Sequence, residues 1–136
     1  MWYRRFFSAI AIVGLSASLP AADDKVRTPK EIMASAHSFK GLLKQTENGA
    51  KADEPKWDDL QKVAAQYAVE TEELGKNKSP LPDKAALWKE LTGKLAQSGK
   101  EVNAAAKKKD VDALKKVTAD IRGEQCSKCH DTFRTK

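Results

Sequence analysis

Apolar residues recur at three- and four-residue spacing along four stretches of this chain, and no stretch alternates apolar with polar in the way a strand requires. This periodicity restricts the chain to helices that bury one stripe each. Thr28-Pro29-Lys30-Glu31 is a capping box with proline in the first helical position. The helix it opens carries Ile32, Ala36, Phe39 and Leu43 on one face and is expected to reach about Glu47, with Asn48-Gly49 as its stop. Asp53 or Pro55 opens a second helix with Leu60, Val63, Ala64, Tyr67, Thr71 and Leu74 as its stripe and Gly75 as its end. Pro80 and Pro82 forbid helix in the connector that follows. Asp83 is the expected cap of a third helix through Trp88, Leu91, Leu95, Val102 and Ala105 to Lys107. Gly93 and Gly99 each weaken it by about 1 kcal/mol, yet nothing breaks it. Asp110 caps a fourth helix through Leu114, Val117 and Ile121 to about Arg134. Helices of this length with mostly short connections predict an all-α fold, an antiparallel four-helix bundle.

The 136 residues suffice for one domain, and they include only two Cys and two His. A disulfide scaffold, a polytopic membrane protein and a multidomain enzyme are thereby excluded. The first 22 residues are read as a signal peptide. They run from a short basic start (Arg4, Arg5) through the apolar Phe6–Leu19 to Pro20-Ala21-Ala22. The apolar run is short against the roughly 20 residues of a membrane span, so no stable insertion is expected after cleavage. Residues 23–136 then form the mature domain: 114 residues, with 23 basic side chains against 19 acidic ones, a net +4. Its five aromatics, Phe39, Trp57, Tyr67, Trp88 and Phe133, make a lean core with room for a prosthetic group. Lys107-Lys108-Lys109 is read as a solvated helix end.

The chemistry is concentrated in Cys126-Ser127-Lys128-Cys129-His130. This C-x-x-C-H pattern is that of c-type haem attachment. On a helix, positions i, i+3 and i+4 share a face. Two thiols there can bond two vinyl groups of one haem, and the adjacent His130 can direct a ring nitrogen at the iron. A thioredoxin-like redox pair would follow a strand, and none is expected. A structural zinc site needs four ligands, and only His37 could complete one. Haem is attached to c-type chains after export in the unfolded state, so Arg4-Arg5-Phe6-Phe7 is read as the start of a general secretory signal to the periplasm.

A C-x-x-C-H close to the C-terminus of a four-helix bundle resembles the class II cytochromes, the cytochrome c′ family. The resemblance spans residues 23–136. It rests on Cys126–Arg134 (CSKCHDTFR), the Trp88 helix after a proline-containing loop, the Thr28-Pro29 start and the length. It implies one covalent haem c held by Cys126 and Cys129, with His130 as proximal ligand and Arg134, one turn further, beside the haem. It also implies that the first helix supplies the distal residue. His37 is the favoured sixth ligand and Met33 the alternative. The family's propionate-binding arginine is missing in either register, leaving Arg27, Lys30 or Lys40 for that task. A six-coordinate haem implies periplasmic electron transfer with a redox protein partner, which the modest positive charge would steer if the partner is acidic. The competing expectation is a five-coordinate haem binding nitric oxide or carbon monoxide, with Phe39, Leu42 or Leu43 over the iron. The family often forms dimers through its first two helices, so a homodimer is also allowed, although no exposed apolar stripe demands one. No carboxylate pair, activated nucleophile or phosphate loop argues for an enzyme. Basic residues dispersed among acids argue against nucleic-acid binding.

Overall fold

The computed structural model describes residues 25–134, and the expected signal peptide at 1–22 lies outside them. Helices are α1 (Pro29–Ile32), α2 (Leu42–Lys51), α3 (Trp57–Leu74), α4 (Ala85–Lys107), α5 (Val111–Asp120) and α6 (Cys126–Phe133). Wide π turns, Met33–His37 and Ile121–Gln125, extend α1 and join α5 to α6. No strand occurs among the described residues, and none of their helices is long and apolar enough to cross a membrane. The long helices pack in a closed ring: α2 on α3, α3 on α4, α4 on α5 and α5 back on α2. Tyr67, Ile32, Leu43, Leu74, Leu114, Ile121 and Val102 fill its centre, essentially without solvent contact. Each such aliphatic or aromatic side chain contributes roughly 1.5–3 kcal/mol by burial.

The helix starts follow the sequence in two cases. Thr28 and Glu31 close the capping box, with the Glu31 carboxylate accepting from the Thr28 N–H at 2.7 Å. Asp110 caps α5, its carboxylate accepting from the Ala113 N–H at 2.9 Å. The third helix opens differently: Pro82–Lys84 forms a 3-10 turn, and no side chain caps α4. Gly75 ends α3 as expected. Lys109 takes a left-handed conformation (φ 56°) after α4. The N–H groups of Lys109 and Asp110 return to the carbonyls of Ala106 and Ala105. This is the Schellman closure, built here without glycine.

The first expected helix is two. Ser38-Phe39-Lys40-Gly41 forms a turn closed by the Gly41 N–H donating to the Ser38 carbonyl at 2.9 Å. A Cβ at Gly41 would stand 2.8 Å from backbone atoms of Ala36 and Ser38, so only glycine allows the chain to fold back this tightly. Phe39, expected on the buried stripe, is thereby turned outward and is 85% exposed. The helix then runs past Asn48-Gly49 to Lys51, because Ala50 is buried against the bundle and this burial outweighs the cost of a helical glycine.

α4 is the single long helix expected, but its two glycines are unlike. A Cβ at Gly93 would meet nothing within 4 Å. One at Gly99 would overlap the buried Thr71 hydroxyl and lie 3.2 Å from the Ala68 Cα, where α3 and α4 approach. Gly93→Ala is therefore expected to stabilise the fold by about 0.5–1 kcal/mol. Gly99→Ala should destabilise it by about 1–3 kcal/mol. Urea titrations check both signs, and equal shifts would contradict this account of the packing.

Candidate functional site

The Arg27 guanidinium fastens the chain ahead of α1 to α3. It donates to Glu73 at 2.7 and 3.0 Å and to Glu70 at 3.1 Å, and the Arg27 N–H donates to Glu73 at 2.8 Å. These bonds hold the Glu73 carboxyl below its ordinary pKa. Glu70 is buried, and it also accepts from the Ser35 hydroxyl and from Gln66. Arg27 is thus committed to two carboxylates and does not line the groove described below. Ser35 lies within the π turn Met33–His37, so Glu70 also fixes the segment that presents His37.

At the other end of the chain, the π turn Ile121–Gln125 carries the helix into α6. Arg122 in that turn pairs with the buried Glu47 of α2. Gln125 donates to the Ser98 hydroxyl of α4 at 2.7 Å. These ties orient the first turn of α6 toward the bundle interior. Cys126 and Cys129 are free and half-buried, and His130 is exposed.

Met33, His37, Cys126, Cys129 and His130 line one apolar cavity of about 20 Å³, with Leu74, Leu91 and Leu95 among its walls. A wider groove of about 800 Å³ shares Met33, Cys129 and His130 with it. Pro29, Trp88 and Phe133 give the groove apolar walls, and Lys30 and Arg134 add cations. Trp88 and Phe133 meet edge to face at 5.1 Å, and the Trp88 indole N–H donates to the Asn77 carbonyl. Residues 97 positions apart, His37 and Arg134, therefore border adjoining spaces. Lys40 sits elsewhere, beside Phe39. Phe39, Leu42 and Leu43 do not line the cavity; Leu43 is buried in the core and Phe39 faces solvent.

His37 is the most telling group. Its Nδ1 lies 4.0 Å from the Cys126 Sγ, and its Nε2 is shut away from water with no hydrogen-bond partner. Burial, reinforced by His130 and Arg122, lowers its pKa to about 4. The ring is therefore neutral at pH 7, with a nitrogen lone pair available for a metal. Burial raises the pKa of both thiols. Sequence reasoning placed Tyr67 only in the core. Its ring packs 5.5 Å from the His37 ring, and its hydroxyl is buried without a partner. Burial raises its pKa as well. Gln125 was not singled out from the sequence, and Trp88 and Phe133 entered only as parts of the resemblance, with no role at the site, because nothing local marks which space a side chain will face.

The chain matches no family model, no curated protein and no solved structure.

In the cofactor-free chain, His37 makes stability depend on pH. Its folded pKa of about 4 lies below the unfolded value of 6.5. The unfolded state therefore gains a proton first as pH falls, and stability present above pH 6.5 is lost toward pH 4, by roughly 3 kcal/mol. Urea titrations of the cofactor-free chain between pH 7 and 4 check this. His37→Leu should flatten the dependence, and an unchanged slope would contradict the assignment.

Proposed function

We propose that this protein is a periplasmic electron carrier of class II c-type cytochrome character. In this reading the helices form an antiparallel four-helix bundle with one covalent haem. The observation that carries the reading is His37: a neutral imidazole with a buried, unpartnered Nε2, on a side chain that lines the same cavity as Cys126, Cys129 and His130. An orphaned polar atom in an apolar interior costs about 1–3 kcal/mol. Coordination to a metal is the interaction that a lone imidazole nitrogen in such walls can best make.

Two thiols and two imidazoles bordering the cavity and its adjoining groove support a haem as the bound group. Cys126 and Cys129 would attach it by thioethers, with His130 as the proximal ligand and His37 as the distal one. Haem iron supplies a one-electron couple, and two imidazoles give it a lower potential than a Met ligand would. The chain's own contribution is positional. Glu70, through Ser35 and Arg27, holds the segment that bears His37. Leu74, Leu91 and Leu95 give the cavity apolar walls. Trp88 and Phe133 would give the group apolar walls, and Lys30 and Arg134 would supply cations beside it. Ligands held on rigid elements stay in place through a change of charge, so little needs to reorganise when an electron arrives or leaves. Met33 lines both cavity and groove, which favours it as the alternative distal ligand.

The test is expression with a periplasmic haem-attachment system. Haem that stays with the chain after denaturation, and is lost in Cys126→Ala/Cys129→Ala, is the expected result. The spectrum should be low-spin, should persist in Met33→Ala, and should become high-spin in His37→Ala. The reverse pattern would transfer the ligand role to Met33. A high-spin ferrous form that takes up carbon monoxide readily would overturn the electron-carrier reading.

A further inference from the structure

Phe39 is the most exposed of the large apolar side chains identified among the described residues. It is held outward by a turn that Gly41 alone permits, two residues beyond His37. Its surroundings are basic. Phe39 shares a shallow pocket with Lys40 and Lys44. Lys44 also borders a groove of about 550 Å³ whose other cations are Lys51, Lys115 and Arg122. Glu47 is the one acid in that groove, and it is already paired with Lys44 and Arg122. Among the described residues, no ion pair engages Lys40, Lys51 or Lys115. One face thus carries an outward aromatic at one end and, across the rest, cations of which Lys40, Lys51 and Lys115 are in no ion pair among the described residues.

We infer that the face running from Phe39 to Lys115 docks an acidic protein surface. Phe39 enters an apolar spot on the partner, and Lys40, Lys51 and Lys115 meet its carboxylates. The choice of a redox protein as that partner rests on the electron-carrier reading above. An aromatic anchor with charges around it is the arrangement in which a few contacts give affinity and the rim gives orientation. The cations act before contact, accelerating encounter with an opposite charge. The groove is concave, which suits protruding Asp and Glu side chains. A flat anionic bilayer would meet only its rim and a single aromatic. The docked partner would lie against the turn that leads directly to His37.

The probe is a flavodoxin, an acidic electron-transfer protein, titrated into the isotopically labelled full chain at low ionic strength. Amide shifts are expected to cluster on residues 38–44 and around Lys51 and Lys115. Lys51→Glu/Lys115→Glu should weaken binding by about tenfold. Lys89→Glu/Lys100→Glu changes the net charge equally on the exposed side of α4, and should weaken it far less. Phe39→Ala should weaken binding at high ionic strength too, where screening removes the contribution of the charges. Equal losses in the two double variants, dispersed shifts or no binding would overturn the inference. So would co-sedimentation with phosphatidylglycerol vesicles that Lys51→Glu/Lys115→Glu abolishes while flavodoxin binding stays unchanged, which would give the face to lipid. The titration reads binding whether or not haem is attached, so failure of the electron-carrier reading would show separately, in the absorption spectrum.

Discussion

The buried Glu70 carboxylate is the contact on which the site depends. α1 has four residues and its π extension five. A segment this short cannot hold helical structure in water by itself. What holds it is burial of Ile32 and Ala36, together with Arg27 and Ser35 donating to Glu70. A carboxylate at 3% exposure is tolerable only when paired and hydrogen-bonded. Arg27, Ser35 and Gln66 meet that condition from both sides. Were the network lost, the π turn would have no fixed position on α3, and neither would the imidazole it carries.

Two π turns border the cavity, one supplying His37 and the other leading into Cys126. A π turn is wider than an α turn, is rare, and is frequent at functional sites. Here each is tied across the bundle by a buried carboxylate: Glu70 bonds Ser35 of the first, and Glu47 pairs with Arg122 of the second. α2 and α3, which carry these two acids, pack directly on each other. The two halves of the site are therefore positioned from adjacent members of the same helix ring, although they lie at opposite ends of the chain.

Much of this was legible in the sequence because it depends on local chemistry. The Thr28 capping box, the Asp110 cap, the Gly75 stop and the periodic stripes each announce a helix through residues that are neighbours in the chain. That Met33 and His37 stand beside the C-x-x-C-H segment accords with the resemblance to class II cytochromes, which implies that the first helix supplies the distal residue. The break at 38–41 was not. Phe39 continues the apolar spacing, so periodicity alone carries the helix through it. What ends the helix is the backbone contact that Gly41 permits, a tertiary feature with no local pattern. The commitment of Arg27 to α3 was hidden for the same reason. Glu70 and Glu73 stand 43 and 46 residues away from it, and nothing in the spacing favours them over any other acid.

Polar satisfaction across the described residues is uneven in an informative way. The buried threonines Thr46, Thr71, Thr92 and Thr118 all return their hydroxyls to a carbonyl one turn back. Three of the four unpartnered buried side-chain atoms among the described residues are at or beside the site: His37 Nε2 and Gln125 Oε1 belong to side chains lining the cavity, and Tyr67 packs its ring on His37; the fourth, Asn103 Oδ1, lies further along α4. Each costs about 1–3 kcal/mol, against a typical total stability of about 5–15 kcal/mol. The buried threonine hydroxyls are paired, whereas His37 and Gln125 leave unpaired atoms on side chains that line the cavity, where a bound group would relieve the cost at His37. In the proposed reading, ligation at Nε2 would remove one of those costs, so binding at this cavity and folding of the bundle would be coupled through the same atom.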